Sequence, residues 1–484
     1  MIIRALRKAL RPAVWVTAER AFNEIFFLLL FSVQAPILGP SAFGLIAAVM
    51  VFITFWESVP GHAITEALLS VRDIEQKHFS TATTISVLLC VVFGVVVFAF
   101  AGPLAAAFGN AELAAIMRIM SVLPLIHALS IAPVAAAQRE MLFQSITLRT
   151  IISVVVGGVV GLILALMGAG VWALVWQAFV QRSVAVVVLW LAVPLRFRLG
   201  LSPRHLREVG GFALPVMVSR LMGWGSGQLP RLILGLFLGT ADLGLFTLAT
   251  RLNAIVTQVA IGPKAVVARV DLRRFATDNK ALAAAVRRVF LQISFLSYPI
   301  CFGGAAVTPT LFEAWLDQRW YPAVVPSELM LLSSAPYVTF YVTTAVLYAL
   351  NMMKAEVAVA TALNLGIVVA VVVSASFGLV ATTATMAVVT LAAVPLALLV
   401  ACRSCKLALS DLVAPQAPAL VASCLMAGAV SLLRLELAPA YSSLTVLAVC
   451  IIAGVVLYAL LIAALMPSYA VQTFQFLHRR AVAR

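Results

Sequence analysis

Of the 484 residues, 63% are hydrophobic and only 11% charged, less than half the roughly 25% charged content of soluble domains, and a water-soluble fold cannot bury that much apolar surface. The formal net charge of +15 would suggest a nucleic-acid partner in a soluble chain. Here the basic residues sit mostly in short connections between apolar runs, which excludes nucleic acid and leaves no room for a soluble catalytic domain.

The chain opens with Arg4, Arg7, Lys8 and Arg11, as in the n-region of a signal peptide. The apolar segment that follows carries Arg20 and Glu24 and runs too long, so it reads as an uncleaved first helix. Apolar length and the punctuation by Gly, Pro and charge place spans near 13–37, 42–69, 81–107, 113–137, 147–167, 171–193, 211–237, 242–266, 283–312, 325–350, 355–375, 377–401, 416–434 and 443–466. Each approaches or exceeds the ~20 residues that cross a hydrocarbon core. The expected fold is therefore all-α: a polytopic membrane bundle of about fourteen transmembrane helices.

Connections along this series alternate in charge. One set holds the N-terminal cluster, Arg72 and Lys77, Arg139 and Arg149, Arg196 to Arg207, Lys264 to Arg288, Lys354, Arg403 and Lys406, and Arg479 to Arg484; the other holds only Arg319 and Arg434. The positive-inside rule then puts both termini in the cytoplasm of a bacterial inner membrane protein. Cys90, Cys301, Cys424 and Cys450 lie in apolar runs and behave as small hydrophobes, while Cys402 and Cys405 form a lone C-x-x-C without a second pair. No metal site and no cofactor are expected.

An internal repeat organises the chain. Leu38, Gly39, Gly44 and Leu45 of ILGPSAFGL recur at one constant offset as Leu238, Gly239, Gly244 and Leu245 of FLGTADLGL, and Arg20 recurs as Arg220. Six helices separate the copies, an even number, so the two halves share one orientation, as in transporters built from parallel repeats around a central site. The expected lobes are residues 1–200 (six helices) and 201–405 (six helices), with 406–484 supplying two additional helices and a cytoplasmic tail.

Arginines fall inside predicted spans at Arg20, Arg118, Arg182, Arg220, Arg231 and Arg251, while Glu19, Glu24, Glu57 and Glu66 are the chief acids there. Ionisable groups at membrane depth are costly and face wet cavities or partners. Arg118 is close enough to a helix end to snorkel, and Arg182 is a candidate to pair with a glutamate elsewhere. Arg20, Arg220, Arg231 and Arg251 are the candidate substrate residues, because guanidinium forks match pairs of phosphate oxygens. Glu24, one turn after Arg20 and able to pair with it, and Glu57 are candidates for coupling transport to an ion. The stretch Gly223 to Pro230 predicts a disturbed helix, with Gly225, Gly227 and Pro230 as a candidate hinge; close packing of small residues is the equal alternative.

The frame Leu38 to Leu45, Gly61 with Ala67-Leu68, Gln138-Arg139, Met141 to Phe143, Gly168 to Val175, and the second Leu238-Gly239 with Gly244-Leu245 resemble the polysaccharide transporter branch of the multidrug/oligosaccharidyl-lipid/polysaccharide exporter superfamily. The resemblance runs over most of the chain and is strongest in its first half. It implies a flippase that moves an undecaprenyl-diphosphate-linked oligosaccharide from cytoplasm to periplasm for exopolysaccharide, capsule or O-antigen synthesis. Membrane lipids, a polysaccharide polymerase and a chain-length regulator are the implied partners, and no catalytic residue is implied. The lipid II flippase of peptidoglycan synthesis is the alternative within the superfamily; a drug/cation antiporter of that superfamily fits poorly with surplus arginine. A membrane ligase, polymerase or glycosyltransferase would need a larger external loop than the one near Glu313 to Ser327, which carries no paired carboxylates, metal-ligand spacing or nucleophile motif.

Overall fold

A computed structural model describes residues 2–193, 195, 198–275, 278–405 and 408–465, with the side chains of 2–14, 16–18, 20, 21, 259–271, 279, 338, 405 and 411 outside the description. The described residues form helices joined by short turns and loops, and no strand occurs among them. Apolar runs in a bilayer have no water to satisfy their backbone, so each must close its hydrogen bonds within a helix.

In chain order the helices are α1 (Ile2–Trp56), which runs through a π-helical turn (Glu57–Gly61) into α2 (His62–Ser70), then α3 (Gln76–Ala107), α4 (Glu112–Met120), α5 (Leu123–Arg139), α6 (Phe143–Leu166) and α7 (Trp172–Ala192). They continue as α8 (Pro203–Arg274), α9 (Asn279–Trp315), α10 (Val324–Ala349), α11 (Met353–Ser374), α12 (Leu379–Cys405), the short α13 (Leu409–Val413), α14 (Ala417–Leu437) and α15 (Ser443–Leu465). Among the described residues, twelve helical stretches are long and apolar enough to cross a membrane. Two of them, Phe22–Ser70 and Pro203–Gln258, have 49 and 56 residues, or about 75–85 Å at 1.5 Å per residue against a ~30 Å core. Each is broken at one glycine, Gly39 (φ 71°, ψ 171°) and Gly239 (φ 85°, ψ −174°), in a backbone region that residues with a Cβ essentially never occupy.

The chain forms two compact units, Met1–Thr247 and Leu248–Arg484. In the first, α6 runs along α7, with Gly157 and Gly161 seated against Gln177 and Gln181. Gln34 Nε2 donates to Gln177 Oε1 at 2.8 Å, tying α1 to the same seam. Ile64, Leu68, Ile131, Leu189 and Val209 are among the buried side chains of one core cluster in this unit. In the second unit, α9 packs on α10, α14 and α15 around Phe290, Ile293, Val342 and Val346. There Gln416 Oε1 accepts from Ser294 Oγ at 3.2 Å and from Tyr298 Oη at 2.7 Å, while its Nε2 donates to Leu412 O at 2.8 Å. Tyr458 Oη on α15 donates to Phe295 O at 2.8 Å, so the last two helices are docked on α9.

The expected disturbance at Gly223 to Pro230 is corrected: α8 passes through it with helical dihedrals, and its break lies at Gly239. Pro230 removes one amide donor, and the loss of that single bond leaves the dihedrals of the stretch helical in this structure.

The two copies of the repeat meet in the first unit. An ideal Cβ on Gly44 would lie 1.6 Å from the carbonyl oxygen of Thr240, and one on Gly244 would lie 2.0 Å from that of Pro40. Ser41 Oγ and Thr240 Oγ1 stand 3.3 Å apart. The contact is reciprocal, with each motif's second glycine under the other's carbonyl, as in a two-fold interface in which the same patch faces itself. Glycine is required at both places because backbone fills the space that a side chain would take.

Candidate functional site

Two polar cavities share a wall in the first unit. Pro60 cannot donate to the carbonyl four residues back, and the helix widens into the π-turn Glu57–Gly61, an insertion that recurs at functional positions. The turn directs Glu57 into a cavity of about 410 Å³, also lined by His62, His127, Arg149, Gln181 and Arg182. Arg182 Nε donates to Glu57 Oε1 at 2.9 Å, with the two side chains 21% and 22% exposed. Thr150 Oγ1, on the same wall, donates to Glu19 Oε1 at 2.7 Å. His127 Nδ1 and Arg149 Nε are buried there without a hydrogen-bond partner.

The second cavity, about 630 Å³, is lined by Ser58 from the π-turn, by His62 and Glu66 from α2, and by Arg220, Trp224 and Gln228 from α8. Arg220 Nη2 is ion-paired with Glu66 Oε1, and both side chains are more than a third exposed and line the cavity. Trp224 packs edge-on against Phe55, ring centroids 5.1 Å apart, and its Nε1 donates to Thr54 Oγ1 at 3.4 Å, which holds α8 against α1. His62 lines both cavities and its Nδ1 lies 2.7 Å from Glu57 O, across the π-turn.

Of the arginines expected at the substrate site, Arg220 lines the larger cavity. Arg231 lies eleven residues further along the same helical stretch of α8, on nearly the same face, and its Nη1 donates to Gln228 Oε1 of the cavity wall at 3.4 Å. Arg251 is half-buried on the part of α8 that belongs to the second unit. The side chain of Arg20 lies outside the described residues, and with it the expected pairing with Glu24. Arg118 sits in the last turn of α4 with its guanidinium 5.6 Å from the Phe98 ring centroid. Arg182 has its glutamate partner, Glu57, so that candidate for ion coupling is already neutralised in this state.

Sequence reading did not single out His62, His127, Arg149 or the Glu66–Arg220 pair. The one local signal was Pro60-Gly61 in the middle of an apolar helix, which marks the place where the turn must change. Breaking a fully buried ion pair costs about 3–5 kcal/mol, and with both groups one-fifth exposed a loss of ~1–3 kcal/mol is expected when Glu57→Gln strands Arg182. A thermal unfolding series should show a lower Tm for the single variant and recovery in Glu57→Gln/Arg182→Gln; an unchanged Tm in the single variant would mean that the pair does not stabilise the unit.

A family model described as a polysaccharide biosynthesis protein matches residues 33–325, more than half of the chain. The succinoglycan biosynthesis transport protein ExoT of Rhizobium meliloti (strain 1021) is 25% identical over 301 residues, covering 62% of this chain and 61% of its own length. The teichuronic acid biosynthesis protein TuaB of Bacillus subtilis (strain 168) is 22% identical over 265 residues, 53% of this chain and 54% of its own. The chain thus spans less than two thirds of the length of either relative. Among solved structures, the lipid II flippase MurJ in an inward closed conformation superposes with a TM-score of 0.73 at 14% identity, over 94% of this chain and 98% of that one. An inward-facing multidrug resistance MATE transporter of the MOP superfamily gives 0.62 at 13% identity, over 79% and 94%. At these identities the likeness to the two structures is one of fold.

Proposed function

The chain belongs to the polysaccharide biosynthesis protein family, and from that membership we propose that it is a flippase that carries an undecaprenyl-diphosphate-linked oligosaccharide across the bacterial inner membrane by alternating access. The observation that carries this reading is the cavity in which Arg220 is offered beside a carboxylate that a phosphate can replace. Relatives named for succinoglycan transport and for teichuronic acid biosynthesis support a polysaccharide precursor as cargo over lipid II. The relative named for succinoglycan transport also favours transport over a ligase, polymerase or glycosyltransferase.

In this reading Arg20, Arg231 and Arg251 join Arg220 as successive holds for the diphosphate, so that its charge is not abandoned in a low-dielectric path. The contact of Gly44 with Gly244 closes one face of the pathway, and α8 bends at Gly225, Gly227 and Pro230 when that face opens, since a missing amide is where helices kink. Glu24 and Glu57 remain the acids proposed to couple the cycle to an ion. The two long stretches cross the membrane twice each, giving fourteen passes in two six-helix lobes and two further helices.

Deleting the chain is expected to stop polymer export and to leave lipid-linked oligosaccharide in the cytoplasmic leaflet, read by leaflet-selective sugar labelling of membrane vesicles. Continued export without such accumulation would overturn the proposal. Both termini are expected in the cytoplasm: a reporter that works only in the periplasm should be silent when fused to the C-terminus, and activity there would refute the topology while leaving the cargo open.

A further inference from the structure

We infer that the second unit holds a binding site for the uncharged sugars of the cargo, in a cavity of about 500 Å³ between α8, α10 and α12; the inference rests on the flippase reading above. No residue of its lining carries a formal charge, although the chain as a whole has 33 lysines and arginines. Ten of the fourteen lining side chains are hydroxyls, phenols or amides. Polar side chains around a void within a membrane bundle cost desolvation unless something meets them, and groups of this kind mark substrate paths. With no arginine or lysine in its lining, the cavity offers nothing to neutralise a diphosphate.

The hydroxyls are set to accept. Thr257 Oγ1 donates to Asn253 O at 2.8 Å, Ser333 Oγ to Met330 O at 3.0 Å, Thr383 Oγ1 to Leu379 O at 3.0 Å and Thr390 Oγ1 to Met386 O at 2.9 Å. Each hydroxyl has spent its one proton on its own helix and keeps lone pairs for a donor. Ser334 Oγ donates to Asn253 Oδ1 at 2.7 Å and holds that amide at the cavity wall. Sugar hydroxyls both donate and accept, and they match such a wall. Tyr337, stacked on Phe340 with centroids 5.2 Å apart, supplies a rigid aromatic surface for the apolar face of a pyranose ring.

Size separates a sugar from an ion. Small-molecule sites run to roughly 300–1,000 Å³, and about 500 Å³ accommodates a short oligosaccharide. A hard cation is caged by oxygens at about 2.3–2.6 Å, usually with a carboxylate among them, and this cavity is too wide and has no carboxylate.

The test uses the full chain in lipid nanodiscs and two kinds of probe: neutral hexose disaccharides and trisaccharides (lactose, cellobiose, laminaritriose), and farnesyl diphosphate. Saturation-transfer NMR should detect at least one of the sugars on the wild type. Binding should weaken about tenfold, equivalent to ~1.4 kcal/mol, in the near-isosteric Thr257→Val and in Asn253→Leu, with farnesyl diphosphate binding unchanged. Sugar binding that is absent, or equal in wild type and variants, overturns the sugar site, and if farnesyl diphosphate still binds the flippase reading stands. Sugar binding with this variant dependence supports the site even if farnesyl diphosphate fails to bind, in which case it is the diphosphate reading that falls. A cavity that instead gives sodium-specific thermal stabilisation, lost in the same variants and indifferent to sugars, is a cation site and overturns the proposal.

Discussion

Joining the two repeat motifs covalently, with Ser41→Cys and Thr240→Cys in a chain whose native cysteines are replaced, is expected to abolish transport under oxidising conditions and to restore it on reduction. The two hydroxyl oxygens are 3.3 Å apart, and small side-chain rotations bring sulfurs in those positions to the ~2.04 Å of a disulfide. If the contact must open once per cycle, a covalent link stops the cycle completely. A milder form of the same test is Gly44→Ala, whose new methyl would have to displace the Thr240 carbonyl. Overpacking of this kind costs about 1–3 kcal/mol, so the closed arrangement should lose roughly tenfold or more in population, read as faster labelling of the face that it seals. Full transport by a quantitatively crosslinked protein would show that the motifs form a static joint.

That contact was half legible in the sequence. The matched Leu-Gly frames at one offset reveal a repeat, and Gly39 and Gly239 prove to be the residues where the long helices break; periodicity does not say that the copies touch each other. The all-helical membrane bundle was fully legible, because apolar run length has one solution in lipid. Arg182 was expected to meet a glutamate and does, but which partners the ion pairs would join was not legible. Glu66 lies 154 residues from Arg220, and Glu57 lies 125 from Arg182, and a helical pattern gives the face of a residue without the helix that it will meet. The glycines and proline of 223–230 suggested a broken helix from residue type alone, which weakens a helix without saying where it must break; the break is at Gly239. The neutral cavity of the second unit left no motif, because threonines that bond their own helix look in sequence like any apolar span.

The second large effect concerns Arg220 and Glu66. In this structure the guanidinium is occupied by the carboxylate, and both are exposed enough to the cavity for an incoming ligand to exchange one anion for another. A diphosphate offers more oxygens and more charge than a carboxylate, and hydrogen bonds to charged groups are worth about 1.5–3 kcal/mol each. Arg220→Ala should therefore weaken binding of a prenyl diphosphate headgroup by roughly ten- to a hundredfold, and Arg220→Lys should recover only part of it, because a point charge lacks the paired donors. Glu66→Gln removes the competitor. It should tighten binding and slow release, so that turnover falls while the concentration needed for half-maximal transport also falls. The decisive variant is Glu66→Gln/Arg220→Ala. Arg220→Ala alone leaves a bare carboxylate facing the phosphates, so the double variant should bind more tightly than Arg220→Ala although it has lost both partners of the pair. If Arg220→Ala binds the prenyl diphosphate as tightly as the wild type, with every variant equally abundant in the membrane, then the pair only holds α2 against α8 and the diphosphate binds elsewhere.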